Sequence, residues 1–340
     1  MSLRPVIGSA REVLAELEPW VRDGGEPIVV RTSGSTGDAK DVVLSHAAVM
    51  ASARAALDRL GGPAQWLSAI PASGVGGLQV LVRSIVAGIE PVFADEHADL
   101  PAAIAAMAGE RRYASLVPTQ LHRLADDLSV LAGFDAVLIG GAATPGDLLA
   151  RARDAGVAIV RTYGMSETCG GCVYDGSPLD GVRMRVDADQ QVHLAGPMLF
   201  DGYGDPEMPT GIVDGWFATS DLGEIEDGRL RITGRSHDVI ISGGVNIALP
   251  AVTEALRRHE GVGDAIAVGV PDDEWGARVV AYLVPADAVC LDGLRLDEVR
   301  DAVEAMGLPR TWAPREVVLV DELPLLPGGK IDRKALMGRD

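Results

Sequence analysis

The sequence predicts an α/β protein with a large N-terminal domain of mixed and parallel sheets, a small β subdomain, and a smaller α+β C-terminal domain. Three observations carry this reading. Short apolar runs that read as buried strands alternate with helical segments through the first half of the chain. From about Val182 the texture changes to short alternating strands with glycine turns. Near Gly234-Arg235-Ser236-His237-Asp238 the chain crosses into a second unit, giving domains of 1–234 and 239–340 joined by residues 235–238.

Taken in order, residues 10–22 read as a short amphipathic helix. Ile28-Val29-Val30-Arg31 reads as a buried strand running into a Gly/Ser/Thr loop ahead of the next helix. That helix spans Ser45 to Leu60, with Ser45 as its N-cap. Trp66 to Ile70 and Val80 to Phe93 hold further strand and helix segments. Ala136-Val137-Leu138-Ile139 reads as a parallel strand ending in the tight loop Gly140-Gly141. Val157 to Arg161 repeats the pattern and ends in Thr162-Tyr163-Gly164. Val192-His193-Leu194 and Gly228-Arg229-Leu230-Arg231-Ile232 supply the β subdomain. The second unit holds a helix (Leu249 to His259), strands (Asp264 to Val270; Val279 to Val284), a helix (Asp297 to Met306) and a polar tail.

Composition narrows the class. Hydrophobic residues make up 47% and charged residues 23% of the 340, ordinary for a water-soluble globular chain. The formal net charge of −19 argues against nucleic acid or an anionic membrane surface as a partner. Met1-Ser2-Leu3-Arg4-Pro5 lacks the pattern of a targeting segment, and the apolar stretch Leu78 to Phe93 is interrupted by Arg83, Glu90 and Pro91. Three cysteines in a chain of this size argue against a disulfide framework and for the cytoplasm. Cys169 and Cys172 form a C-x-x-C pair, but with no second pair and no histidine cluster nearby it reads as incidental packing.

The chemistry is carried by motifs. Thr32-Ser33-Gly34-Ser35-Thr36-Gly37-Asp38-Ala39-Lys40 combines hydroxyls, glycines and a lysine, so that backbone N–H groups and side-chain donors converge on an anion. It is a phosphate loop in chemistry without the Walker order, and a polar surface turn is the plain alternative. Thr162-Tyr163-Gly164-Met165-Ser166-Glu167-Thr168 follows a buried strand, where α/β folds place ligands. Tyr163 offers a face for a base and Glu167 a hard oxygen for Mg²⁺; the alternative is a helix start with Glu in its first turn. Asp221, in Gly215-Trp216-Phe217-Ala218-Thr219-Ser220-Asp221-Leu222-Gly223, suits a pair of ribose hydroxyls or is an ordinary loop carboxylate. Ile232 to Gly244 contains Arg235, His237, Gly243 and Gly244. Leu323-Pro324-Leu325-Leu326-Pro327-Gly328-Gly329-Lys330-Ile331-Asp332-Arg333 carries Lys330 in a Gly/Pro-rich loop, by itself a solvated charge.

Together and in this order, from about residue 28 to the end, these motifs resemble the adenylate-forming superfamily of acyl-CoA synthetases, luciferase-like enzymes and peptide-synthetase adenylation domains. The resemblance implies that Thr32 to Lys40 wraps the β- and γ-phosphates of ATP. It implies that Gly140, Gly141, Ala142 and the segment Tyr163, Gly164, Met165, Ser166 hold the adenine end, and that Glu167 reaches Mg²⁺. Asp221 and Arg235 would hold the ribose, and Lys330 would bridge the reacting carboxylate and the α-phosphate. It further implies a C-terminal domain that rotates about a hinge at 235–238, bringing Gly243 and Gly244 to the thioester step with coenzyme A. The run Arg161 to Val182, the segment Ser115-Leu116-Val117-Pro118-Thr119-Gln120-Leu121 and the early position of the phosphate loop are similar to the o-succinylbenzoate–CoA ligases of menaquinone synthesis, in their compact actinobacterial form.

The chain departs from the family pattern in places. Small residues fill Pro71-Ala72-Ser73-Gly74-Val75-Gly76-Gly77, where a His or an aromatic is usual. Lys40-Asp41 replaces Lys-Gly, His237 stands at the hinge position, and Val245 to Pro250 lacks the usual acidic pattern. The expected activity is ATP-dependent ligation of a carboxylic acid to CoA, through an acyl-adenylate. For o-succinylbenzoate the second carboxylate needs a cation, and Arg83 and Arg123 are the candidates, with surface arginines as the plain reading. The expected partners are the small acid, ATP and CoA; oligomeric state stays open, a homo-oligomer included. Another small acid such as malonate or a medium-chain acid, or a nucleotide-binding relative without catalysis, is the alternative. No carrier segment with a phosphopantetheine serine follows and no Gly-x-Ser-x-Gly elbow occurs, which disfavours a peptide-synthetase module and a serine hydrolase.

Overall fold

A computed structural model describes residues 6–32, 40–235, 238–286, 294–325 and 331–337. Contacts divide the chain into two compact units, one of residues 1–187, 192–219 and 225–231, the other of 188–191, 220–224 and 232–340.

The first unit opens with α1 (Ala10–Asp23), started by a capping box in which Ser9 and Glu12 satisfy each other's backbone N–H groups. Its apolar face, Val13, Leu14, Leu17 and Val21, is buried. β1 (Ile28–Thr32) and β2 (Lys40–Leu44) pair antiparallel, with Thr32 opposite Lys40. Between the phosphate loop and the helix at Ser45, where the sequence reading assigned no element, a second strand intervenes, because Asp41-Val42-Val43-Leu44 alternates and pairs back on β1. α2 (His46–Leu60) follows, with Ser45 as its N-cap and the left-handed Gly61 closing it.

Crossovers then build the main sheet. They run β3 (Gln65–Ser68), α3 (Val75–Ala87), β4 (Val92–Phe93), α4 (Leu100–Ala105), β5 (Arg112–Leu116), α5 (Pro118–Arg123), β6 (Ala136–Ile139), α6 (Gly146–Asp154) and β7 (Ile159–Met165). β8 (Gly170–Tyr174) and β9 (Ser177–Pro178) complete the order β4-β3-β5-β6-β7-β8-β9. Pairing is parallel from β4 to β7 and antiparallel from β7 to β9. β6 is buried along its whole length, as a strand covered on both faces must be. β7 does not stop at Arg161. It runs on to Met165, and its second half pairs with β8 across a bulge between Tyr163 and Gly164.

β10 (Arg183–Val186), β11 (Gln191–Ala195), β12 (Gly202–Tyr203), β13 (Ile212–Val213), β14 (Trp216–Glu226) and β15 (Arg229–Arg235) follow. β12 extends the first hairpin in the order β1-β2-β12. The others form a sheet ordered β10-β11-β14-β13, with β15 on β14. Val192, Leu194, Met198 and Leu230 pack there with Cys172 and Val173.

Further along the second unit comes the hairpin of β16 (Val239–Ser242) and β17 (Val245–Ala248), turned by Gly243 and Gly244 at φ of 56° and 81°. α7 (Leu249–Arg257), β18 (Val262–Asp272), β19 (Gly276–Pro285), α8 (Leu296–Ala305), β20 (Glu316–Leu319) and α9 (Arg333–Met337) follow. Its sheet is β18-β19-β20, and α7 and α8 cover one face through Val252, Leu256, Val299 and Val303. Among the described residues no helix is long and apolar enough to cross a membrane.

Candidate active site

In the first unit, the C-terminal ends of β5, β6 and the parallel part of β7 lie side by side, Leu116 opposite Ile139 and Ile139 opposite Arg161. The loops leaving them pack without room for side chains. A Cβ on Gly140 would lie 2.3 Å from the Thr162 hydroxyl, and Gly141 takes a left-handed φ of 86°. Gly164 is more constrained: its Cβ would lie 2.0 Å from the Gly170 carbonyl oxygen. Gly140 thus packs directly on Thr162, and Gly164 on Gly170, because glycine puts no side chain between them.

After Met165 the chain makes a single 3-10 turn, Ser166–Thr168. The buried Thr168 hydroxyl accepts from the Met165 N–H at 2.9 Å and faces the Gly170 carbonyl at 2.8 Å. That turn presents Glu167. Its backbone carbonyl accepts from the Phe200 N–H at 2.9 Å, and its Oε1 accepts from the Tyr203 hydroxyl at 3.0 Å. Burial first, and the Glu167 charge second, push the Tyr203 phenol well above its ordinary range, so it stays protonated and donates. The Lys40 ammonium sits 5.2 Å from the centre of the Tyr203 ring, a cation–π distance. Thr32 and Lys40 face each other across the hairpin, the Thr32 hydroxyl donating to the Lys40 carbonyl at 3.3 Å. Thr32, Lys40, Glu167 and Tyr203 thus form one cluster. Tyr203 was missed by sequence reasoning; with aromatics only 4% of the chain, the Phe200-Asp201-Gly202-Tyr203 run was the available signal.

Ser33, Gly34, Ser35, Thr36, Gly37, His237 and Lys330 lie outside the described residues. Within the second unit, Arg235 Nε donates to Asp221 Oδ1 at 2.8 Å, and Asp221 is 4% exposed. The two residues expected at the ribose are thus brought together. Gly243 packs on Trp275: its N–H donates to the Trp275 carbonyl at 2.9 Å, and a Cβ there would lie 2.5 Å from the indole. Gly244 follows it in the same turn.

The two arginines part company. Arg123 is exposed at the end of α5. Arg83 is 3% exposed, which overturns the surface reading for that residue. Its guanidinium stands 5.3 Å from the Trp66 ring centre, and its Nε and the Tyr174 hydroxyl are buried without a hydrogen-bond partner among the described residues. Cys169 and Cys172 are both buried free thiols in different apolar clusters, and burial pushes Cys172 up to about 12. Among the described residues no group of three or more His, Cys, Asp or Glu side chains converges. The cluster fits a magnesium ion carried in on phosphates, which needs one or two protein carboxylates; Glu167, hydrogen-bonded to Tyr203, could supply one.

Residues 28–204 match the family model described as AMP-binding enzyme, and residues 251–330 match that described as AMP-binding enzyme C-terminal domain. The chain is 45% identical over 332 residues to a probable 2-succinylbenzoate–CoA ligase of Mycobacterium tuberculosis, covering 93% of this chain and 85% of that one. It is 34% identical over 319 residues to the 2-succinylbenzoate–CoA ligase of Escherichia coli, covering 90% and 67%. The o-succinylbenzoate CoA synthetase of Bacillus subtilis, solved with the acyl-adenylate intermediate OSB-AMP, aligns with a TM-score of 0.77 at 26% identity, over 92% of this chain and 69% of that one. The same enzyme with ATP and magnesium ion aligns at 0.79, with 26% identity and coverage of 91% and 69%.

Proposed function

Since the chain belongs to the AMP-binding enzyme family, we propose that it is an ATP-dependent acid–thiol ligase that converts o-succinylbenzoate to o-succinylbenzoyl-CoA, with release of AMP and pyrophosphate. The observation that carries the acid's identity is the 45% identity to a ligase of that name over nearly the whole chain. The reaction type is supported by one anchored carboxylate, Glu167, and one ammonium, Lys40, that both meet the Tyr203 side chain.

A carboxylate resists attack by a thiol because it is anionic and has no leaving group. In the first half-reaction a carboxylate oxygen attacks the α-phosphorus of ATP, the bond to the bridging oxygen breaks, and pyrophosphate leaves. In the second, the CoA thiol loses its proton and its sulfur attacks the acyl carbon; the acyl–oxygen bond breaks and AMP departs. The protein's work in the first step is alignment and charge neutralisation. Lys40 and the loop after Thr32 hold the phosphates. Glu167 would hold Mg²⁺, which when bound draws charge off the phosphate oxygens. Gly140, Gly141, Ala142 and Tyr163 frame the base, and Asp221 and Arg235 take the ribose. Lys330 serves the first half-reaction, and Gly243 and Gly244 the second. Arg83, a buried guanidinium paired with no carboxylate among the described residues, is the better of the two arginines for the substrate's second carboxylate. The free buried thiols fit a reducing cytoplasm.

The test is a panel of acids with ATP, Mg²⁺ and CoA, read by pyrophosphate release and thioester formation. o-Succinylbenzoate is expected to give the highest kcat/KM. A clear preference for malonate or octanoate would reject this substrate and leave the ligase class standing.

A further inference from the structure

We propose that Tyr203 is a positioning residue that holds Glu167 ready for the metal–nucleotide complex and keeps Lys40 from neutralising it; the inference rests on the adenylate-forming reading. Tyr203 is fixed from both sides. Its backbone pairs with Val42 of β2, two residues from Lys40, and its ring meets Phe200 edge to face at 4.9 Å. From that position one side chain touches both charged groups, the hydroxyl at 3.0 Å from Glu167 Oε1 and the ring face 5.2 Å from Lys40 Nζ. Phe200 adds a backbone hydrogen bond to the Glu167 carbonyl at 2.9 Å, so the segment 200–203 grips Glu167 at main chain and side chain together.

The chemistry of the contact explains why a phenol stands here. A carboxylate and an ammonium this near a common side chain attract one another, and a direct pair would cancel the charge that Glu167 needs for a divalent cation and Lys40 needs for phosphate. Among the described residues Lys40 makes no ion pair; its ammonium lies on the ring face instead. The phenol gives Glu167 one charge-assisted hydrogen bond on one oxygen without adding a positive charge. It thus orients the carboxylate while leaving its charge intact.

Tyr203→Phe separates the two jobs, because it keeps the ring against Phe200 and Lys40 and deletes only the donor. The experiment is calorimetric titration of the full chain with ATP, with Mg²⁺ and with chelator, for the parent, Tyr203→Phe, Glu167→Gln and the double variant. Tyr203→Phe is expected to weaken ATP binding in Mg²⁺ by about tenfold, the usual worth of one hydrogen bond to a charged group. Its binding of metal-free ATP should match the parent, and high Mg²⁺ should restore its pyrophosphate release. In the Glu167→Gln background the same substitution should change nothing further. Equal weakening with and without Mg²⁺, or a full additional effect in the Glu167→Gln background, overturns the inference alone. A parent whose ATP affinity ignores Mg²⁺ overturns the metal role of Glu167 and the inference with it.

Discussion

Asp41 shows how a single residue can depart from a family pattern and be absorbed locally. After Lys40, where the expected family pattern has glycine, this chain places a carboxylate next to the proposed phosphate loop. Arg31, directly opposite on β1, takes both of its oxygens at 2.7 and 2.8 Å, so its charge is spoken for. The Arg31 guanidinium holds the Asp41 carboxyl below the usual carboxylate range. The sign follows from that direction. A group whose pKa is lower folded than unfolded stabilises the fold above its ordinary pKa, and that stability is lost as pH falls through the folded value. Asp41→Asn is therefore expected to lower Tm slightly at pH 7, by a few degrees at most because the pair is half in water. The two melting curves should converge as pH drops below the carboxylate range. A constant gap in Tm across an acid titration would show that the ion pair is not the cause.

At the scale of elements, the head of the site is made by β7 and β8 leaving the parallel pattern. The main sheet can turn antiparallel there only if the backbones of Gly164 and Gly170 meet, and any side chain at Gly164 would enter the Gly170 carbonyl at 2.0 Å. Backbone on backbone cannot relax by a rotamer change, so the strands must part. Gly164→Ala is expected to cost about 1–3 kcal/mol of stability. It should also slow pyrophosphate release by about 10²-fold, because displacing Glu167 by a fraction of the site's width disturbs alignment of the reacting groups. Gly146→Ala, in the first turn of α6 with nothing within 4 Å of its Cβ, is the matched control and should be neutral or slightly stabilising. Comparable damage from both substitutions would mean the close approach is not what makes Gly164 necessary.

For the molecule as a whole, the residues proposed for the chemistry are distributed over both compact units. Glu167, Lys40 and Tyr203 come from the first unit. Arg235 and Asp221 belong by contact to the second, although Asp221 lies well before the expected boundary in sequence. Lys330 is proposed to act only in adenylation, where its compact ammonium meets developing charge. Lys330→Ala should lower the rate of pyrophosphate release by about 10²-fold or more. Thioester formation from preformed acyl-adenylate and CoA should be largely spared. Equal loss in both half-reactions would assign Lys330 a structural part instead.

The sequence by itself determined the α/β class, the alternation that builds the parallel sheet, and the ordered motifs by which the chain is seen to belong to its family. These are local properties: apolar runs of strand length, caps such as Ser45, and glycines at strand ends are written in neighbouring residues. Within the candidate cluster, Thr32, Lys40 and Glu167 stood out because each sits in such a motif. Tertiary structure alone decided what those side chains touch. Tyr203 reaches Glu167 across 36 positions of sequence, β7 runs past Arg161 because β8 returns to pair with it, and Arg83 is buried although its sequence neighbours suit either face of a helix. No propensity encodes such contacts. They arise when the burial of α1, α2, α3 and the sheet against one another fixes the few places where a phenol, a carboxylate and an ammonium can share one point in space.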